Sequence, residues 1–592
     1  IVILAVLIAI SVPVALNIIK GFKMDTFKSH AEFLVGAIEK KKTSNLSFDP
    51  SIITADNIES LLEIDPTNYE SITISIVNDD ISIDIIGANK WEGLEVTGTG
   101  KHLVVEDLTG NSSSPAFCFT FNEGTNTISS YDYENELCPS DVIIPSRISG
   151  VPVNIIGSGA FDDMDITSVV FPSGIREIGS NAFDGNLIES VVLNNGLEYI
   201  GSWAFSWNRI STLILPDTIT YIDDRAFYVN ELVNVTLPHS LTDSGFDSFA
   251  SNNLTSVIVP NSINNISERA FYSNNLTNVT LHEGITSIGT NAFGNSQLTS
   301  VIIPSTVKYL SGFGDNSLTS ITIPSGVTTI GYGAFNGNEI SSITIPSTVT
   351  SIEEAAFRHN MLNDLTIPST VTNVGYQAFN DNQLPDAKSF IYIRNSDGSV
   401  NNTVLISYGG SRRSGIVIPN NVVTISERAF LECNILSVTI PNTVTSIGKG
   451  AFAWNYLSSV TIPTSVTTLS RSIFGHNNIS SLTMPNGITS IGEYAFAQNL
   501  LSNITIPSTV TSIGDTAFAY NRLTAITIPA SVLSIGNYAF YDNLLTSITM
   551  GRTGTTLNNY VISASNDNFK TSYVAGGAGT YTGTQNGTWA KN

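Results

Sequence analysis

The chain has 592 residues, 13% of them charged and 42% hydrophobic, and its 26 basic against 50 acidic residues give a formal charge of −24. That length exceeds one ordinary core, so several domains or a repeat array are expected. The acidic balance leaves no electrostatic footprint for phosphate backbones, which excludes a nucleic-acid partner, and three cysteines cannot build a disulfide scaffold.

The charged fraction is about half of the roughly 25% usual for soluble domains, so Ser, Thr, Asn and Gly must cover most of the surface, as expected of an extracellular protein. Ile1 to Leu16 carry no charge and fall short of the roughly 20 residues that span a bilayer as a helix. Beyond Asn17, Ile19, Phe22, Phe27, Ala31, Leu34 and Ile38 recur at near-helical spacing, with Lys20, Asp25, Lys28, Glu32 and Glu39 on the other face. The pattern predicts one helix over 1–42, with residues 1–19 in contact with a membrane. Ile8-Ala-Ile-Ser-Val-Pro13 and the amphipathic half ending near Lys42 resemble the amino-terminal helix of type IV pilins and pseudopilins. That family's processing-site Gly and acidic residue would lie upstream of Ile1, and a plain signal anchor is the alternative.

Residues 43–108 continue the comparison as a small antiparallel sheet. Thr54-Ala-Asp-Asn-Ile reads as the start of a capped short helix, Ser71–Val77 and Ile81–Ile86 as a hairpin, and His102–Glu106 as a third strand. Residues 109–141 read as a hairpin capping the first repeat. Cys118 and Cys138 flank it, either as a disulfide in an oxidising compartment or as two reduced neighbours.

From 142 to 550 one phrase recurs. Phe stands at 161, 183, 205, 227, 249, 271 and 293, at 313, 335, 357 and 379, and at 430, 452, 474, 496, 518 and 540, a period of 22 with one 20-residue and one 51-residue step. Such a unit cannot bury its own apolar residues, so coils must stack as a solenoid. Ile321-Thr-Ile323 predicts a strand ended by Pro324, with Val327, Ile330, Ala334 and Phe335 filling the opposite wall. A further slot holds Asn186, Asn208, Asn230, Asn252, Asn274, Asn316, Asn338, Asn360, Asn382, Asn455, Asn477, Asn499, Asn521 and Asn543, with Ser296 and Cys433 as substitutes. An amide there is expected to bond backbone groups of adjacent coils, and Cys433 to be a buried structural thiol.

The phrase Ile504-Thr-Ile-Pro-Ser-Thr-Val-Thr-Ser-Ile-Gly514, followed by Ala-Phe and Asn-x-Leu, resembles the BspA-like leucine-rich repeats of bacterial surface proteins over about 142–550. The resemblance implies a right-handed solenoid, surface display, and adhesion to matrix proteins, host cells or other microbes. The array divides into 142–385 with eleven turns, a hairpin insertion at 386–414 turning at Asp397-Gly398, and 415–550 with six turns. Residues 551–592 read as a terminal cap with a flexible Gly-rich tail.

Catalytic signatures are absent from the sequence. His282-Glu283 meets Thr286 where a zincin needs His, Gly409-Gly-Ser411 meets Arg413 where a nucleophile elbow needs Gly, and the six His are scattered. No catalytic, cofactor-binding or metal-ligating residue is therefore assigned, and no enzyme is expected. The candidate binding surface is the aromatic set beside the Ala-Phe pair: Trp203, Trp207, Tyr228, Tyr272, Trp454, Tyr494, Tyr520, Tyr538 and Tyr541. These rings either form a contact row or stack on one another. A second row is the outward Thr at 236, 280, 322, 344, 366, 439, 461, 483, 505 and 527.

The expectation is a mostly β solenoid of about 17 turns behind a pilin-like helix and sheet, displayed at the surface on a membrane or pilus anchor and binding extracellular proteins or glycans. A minor pilin or pseudopilin subunit is the alternative, and an enzyme on surface polymers the weaker one.

Overall fold

The 22-residue period is the interval at which Phe side chains land on one another. Rings from Phe161 to Phe379 stack face to face at centroid distances between 4.7 and 6.1 Å, and a second run continues from Tyr408 to Phe540. Every ring in both runs is buried, together with the Ala before most of them and the Ile or Val columns of the facing wall. In this computed structural model the described residues are the backbone strands at 69–77, 80–87, 94–99 and 102–107, and residues 114–592 apart from 559, 563–567 and 585–586. The predicted helix over 1–42, its membrane contact at 1–19 and the short helix after Thr54 lie outside them.

Two units are distinguished: Ile1–Val153 with Met164–Pro172 and Leu187–Val192, and Asn154–Asp163 with Ser173–Asn186 and Leu193–Asn592. In the first, β1 (Tyr69–Val77), β2 (Asp80–Gly87), β3 (Leu94–Thr99) and β4 (His102–Asp107) form an antiparallel meander in sequence order. The sequence reading has three strands here and misses β3. Next come β5 (Phe119–Asn122) and β6 (Thr127–Tyr131), an antiparallel hairpin. Cys118 and Cys138 are joined as a disulfide across 20 residues of sequence. Around it Phe119, Ile128 and Tyr131 are buried, and the Tyr131 hydroxyl donates to Pro139 O at 2.8 Å.

The second unit is a solenoid of about 18 coils with very little helix. Its continuous ladder is not the predicted Ile-Thr-Ile strand. Parallel two-residue strands run unbroken from Asn265–Ile266 through Ser287–Ile288, Tyr309–Leu310, Thr329–Ile330 and Ser351–Ile352 to Asn373–Val374. Residues 321–323 form no strand, and pairing in that column is confined to pieces such as Ser459–Thr461 with Ser481–Thr483. Pro324 has no N–H to extend a ladder, whereas Ile330 is followed by Gly331, whose N–H bonds Leu310 O at 2.8 Å. That Gly recurs because the neighbouring coil passes against it: a Cβ on Gly514 would sit 2.5 Å from Glu493 N.

The Asn slot is a buried ladder. Asn230 Nδ2 donates to Phe205 O at 2.9 Å, and Oδ1 accepts the Ile210 N–H at 3.0 Å. The donor contact, 25 residues back to a Phe carbonyl, recurs at Asn208, Asn338, Asn360, Asn455, Asn499 and Asn521 between 2.8 and 3.0 Å. The Asn230 amide oxygen thus satisfies a buried N–H, and its amide nitrogen joins that of Asn208, at 3.2 Å, as a second donor to Phe205 O. Cys433 keeps the pattern with sulfur, reaching Tyr408 O at 3.5 Å. Burial pushes its thiol up to about 12.

The insertion is less foreign to the array than its length implies. Phe390–Arg394 and Val400–Tyr408 form the antiparallel hairpin, but Val404-Leu405 then pairs in parallel with Thr424-Ile425. Tyr408, 22 residues before Phe430, stacks on it at 5.0 Å. The returning strand is therefore itself a coil with Tyr in the Phe slot, which corrects the division into eleven and six. Its corner is abbreviated, Leu405 to Tyr408, in the way the 20-residue coil runs from Leu310 to Phe313.

The Gly-rich end is corrected as well. Residues Asn568–Gly576 form a helix, and Gly579–Thr582 pairs antiparallel with Ser547–Met550. Phe569, Tyr573, Tyr581 and Trp589 join the core of the preceding coils, so the described portion of this segment closes the sheet edge.

Candidate binding surface

Between the Gly of each coil and its Asn, the chain turns a corner by alternating backbone conformation. Trp203 and Trp207 have φ of 60° and 51°, and Arg225, Val229, Asp247, Ser251, Arg269 and Ser273 repeat this in the next coils. Left-handed backbone is unfavourable for such residues and persists where surroundings over-determine it. Here a ladder does so: the N–H groups of Trp203, Phe205 and Trp207 donate to Asp224 O, Ala226 O and Tyr228 O at 2.9, 2.8 and 2.9 Å. The Phe between them points into the core, while the two left-handed positions face outward. Six of the nine candidate aromatics, Trp203, Trp207, Trp454, Tyr494, Tyr520 and Tyr538, stand at such positions, whereas Tyr228, Tyr272 and Tyr541 do not, and Asp247 at the same kind of position is buried.

The nine candidates do not form one row. Trp203 and Trp207 both meet Tyr228 edge-on, at 5.8 and 6.2 Å, and Trp207 is 56% exposed. Tyr272 lies under the guanidinium of Arg269 at 4.5 Å. Far along the array, Trp454 stacks flat on His476 at 3.6 Å, whose pKa burial lowers. Tyr494 meets Arg471 at 5.8 Å. Tyr541 contacts both Tyr520 and Tyr538 edge-on, at 5.4 and 5.7 Å, and Tyr538 stacks on Tyr560. Ring-on-ring contact and exposure coexist: Trp207, Trp454, Tyr494 and Tyr520 keep an open face.

Three features escape the sequence reading. On the two-residue ladder, Tyr199 and Tyr221 stack at 5.9 Å and the Tyr199 hydroxyl donates to Asp223 at 2.8 Å. Burial first, then the Asp223 hydrogen bond, raises Tyr199 to about 12. Second, the outward Thr column carries Ile214, Ile258 and Ile302 in other coils, with Ile302 87% exposed, so that face is partly apolar. Counting nine residues on from each Phe would have found it. Third, an ion network gathers where the hairpin enters. His359 Nδ1 contacts Asp381 at 2.8 Å, Arg413 bonds Asp381 at 2.8 Å, Arg428 bonds Glu354 at 2.7 Å, and Arg358 pairs with Glu432. Asn380 fills the abbreviated corner, accepting from Tyr408 N–H at 3.1 Å and donating to Arg428 O at 3.0 Å.

Among the described residues, no three His, Cys, Asp or Glu side chains gather as a metal site, and no helix is long and apolar enough to cross a membrane. No curated protein matches the chain. Among solved structures, it is similar to a leucine rich cell surface protein from Faecalibacterium prausnitzii A2-165, at 23% identity and a TM-score of 0.27, over 76% of this chain and 94% of that one. A leucine-rich repeat protein from Bacteroides ovatus ATCC 8483 is similar at 19% identity and a TM-score of 0.32, over 71% and 89%. The BspA type leucine rich repeat region matches in six overlapping copies, at 126–243, 154–277, 204–313, 309–391, 407–522 and 467–572. With most of its length so matched, and with the stacked Phe and Asn columns that the repeat encodes, the chain belongs to the BspA-type leucine-rich-repeat family.

Proposed function

We propose that the chain is a surface-displayed, non-enzymatic adhesin that recognises proteins or glycans through the outward corners of its solenoid. The observation that carries this reading is the open indole of Trp207, with Trp203 and Tyr228 packed edge-on against the same corner. Rigid aromatic rings of this kind contribute contact area at low entropic cost and dominate interface energetics. Membership of a family of repeat proteins displayed at bacterial surfaces supports the same reading. So does the Cys118–Cys138 disulfide, since such bonds persist in oxidising compartments. Residues 1–19 hold the protein in the membrane in this reading, by their uncharged run.

The test is an array of matrix proteins, mucins and glycans probed with the full chain. Saturable binding that falls roughly tenfold or more in Trp207→Ala is the expected result, in line with a hot-spot aromatic. A blank array overturns the proposal.

A further inference from the structure

Across four consecutive coils the corner positions build a cation sandwich. The guanidinium of Arg225 lies 4.7 Å from the Trp203 ring on one side and 4.7 Å from Phe246 on the other. That of Arg269 lies 5.6 Å from Phe246 and 4.5 Å from Tyr272. Trp203, Arg225, Phe246, Arg269 and Tyr272 thus alternate ring and cation. Beneath them one carboxylate holds both: Asp247, 1% exposed, contacts Arg225 Nε at 3.1 Å through one oxygen and Arg269 Nε at 2.9 Å through the other. Phe246 is itself pinned, its N–H donating to Asp224 at 2.8 Å.

The consequence lies in what is left over. With faces against rings, Arg225 Nε donating to Asp247 and Arg269 Nε ion-paired with it without hydrogen-bond alignment, the terminal Nη groups of both arginines have no acceptor among the described residues, and both side chains are about a third exposed to solvent. The two cations share the buried Asp247 carboxylate, and Asp224, which accepts the Phe246 N–H, is a second carboxylate of the cluster, so it is the Nη groups and not a net charge that a ligand would meet. Arginine so fixed loses little entropy on binding, and its planar fork matches carboxylate and sulfate oxygens. Trp203 and Trp207 share Tyr228 as an edge-on neighbour, and the exposed Trp207 suits the apolar face of a sugar ring.

We infer that this sandwich is the subsite for an anionic glycan, its sugar carboxylate or sulfate on the Arg225 and Arg269 forks and a sugar ring on Trp207. The inference rests on the adhesin reading and narrows it to one ligand class and one corner. Asp247 is a positioning residue, since it holds the forks without reaching the ligand.

The full chain is titrated with polygalacturonate, a carboxylated polymer, with chondroitin sulfate, with neutral dextran and with polyglutamate. The expected result is binding of one or both anionic glycans that exceeds dextran binding at least tenfold and weakens with added salt. Binding of polygalacturonate alone assigns the forks to carboxylate, and of chondroitin sulfate alone to sulfate. Arg225→Gln with Arg269→Gln, which keeps most of the side-chain bulk, removes the preference, while Arg471→Gln on a distant coil leaves it intact. An unchanged midpoint of thermal unfolding establishes that the double variant is folded. Equal binding of dextran, equal binding of polyglutamate, or an unaffected double variant overturns the inference. If the chain holds other array ligands but neither anionic glycan, the inference falls and the adhesin reading stands; if it holds nothing, both fall.

Discussion

The side-chain amide of Asn499 donates to the carbonyl of Phe474, 25 residues earlier, at 3.0 Å, and its oxygen accepts the N–H of Ile479 at 3.0 Å. One amide thereby bonds two buried backbone groups of the preceding coil. Asn499→Ala leaves the buried Ile479 N–H unsatisfied, while Phe474 O keeps its bond from Asn477 at 3.2 Å, so a loss of about 1–3 kcal/mol is expected by chemical denaturation. A loss below about 0.5 kcal/mol would show that the slot tolerates an apolar side chain.

The Phe column makes a second prediction. Phe496 stacks between Phe474 and Phe518 at 5.9 and 5.4 Å, and Phe496→Ala should cost about 3–5 kcal/mol through lost contact and a residual cavity. Because each coil is stabilised by its neighbours, hydrogen exchange should quicken most in coils 474–518 and least near Phe161. Uniform acceleration along the chain would contradict nearest-neighbour stacking.

Gly514 has a steric rather than a conformational reason to be glycine. A Cβ there meets Glu493 N at 2.5 Å, so Gly514→Ala must push adjacent coils apart, an overpacking cost of about 1–3 kcal/mol. The thermal midpoint should fall. Gly415→Ala, where nothing lies within 4 Å but φ is 65°, should cost about 1 kcal/mol or less.

The junction should respond to acid. Burial pushes Asp381 upward, but the His359 hydrogen bond and the Arg413 charge outweigh it and hold the carboxyl below its usual range. A lowered carboxyl contributes stability above its unfolded value, near 4, and that contribution is lost as pH falls through the folded value. Asp381→Asn should therefore cost about 2 kcal/mol at pH 7, and the gap to the parent should close below about pH 4. A gap constant down to pH 3 would contradict this sign.

How much of this was legible follows from what repeats. The Phe and Asn columns recur at fixed residues, so coil stacking and even the role of Cys433 could be read from spacing. The corner conformation could not, because its left-handed positions accept Trp, Arg, Val or Asp and leave no compositional trace. Tyr408 stands one period before Phe430, hidden by substitution. The pairing of Arg225 and Arg269 through Asp247 required knowing that residues 22 apart stand side by side. The strand column was misplaced because Ile-Thr-Ile has the stronger β composition, although Pro324 removes a ladder donor. In the tail, glycine frequency concealed four large rings that close the core.

Hydrogen bonds at the corner run forward, from Phe205 N–H to Ala226 O, while those after the short strands run backward, from Gly201 N–H to Ile178 O. Each coil thus offers its successor the same mixed edge that its predecessor offered it. Excising or duplicating one whole 22-residue unit rejoins like edges without disturbing the Phe or Asn columns, so the length of this surface is a matter of coil number alone.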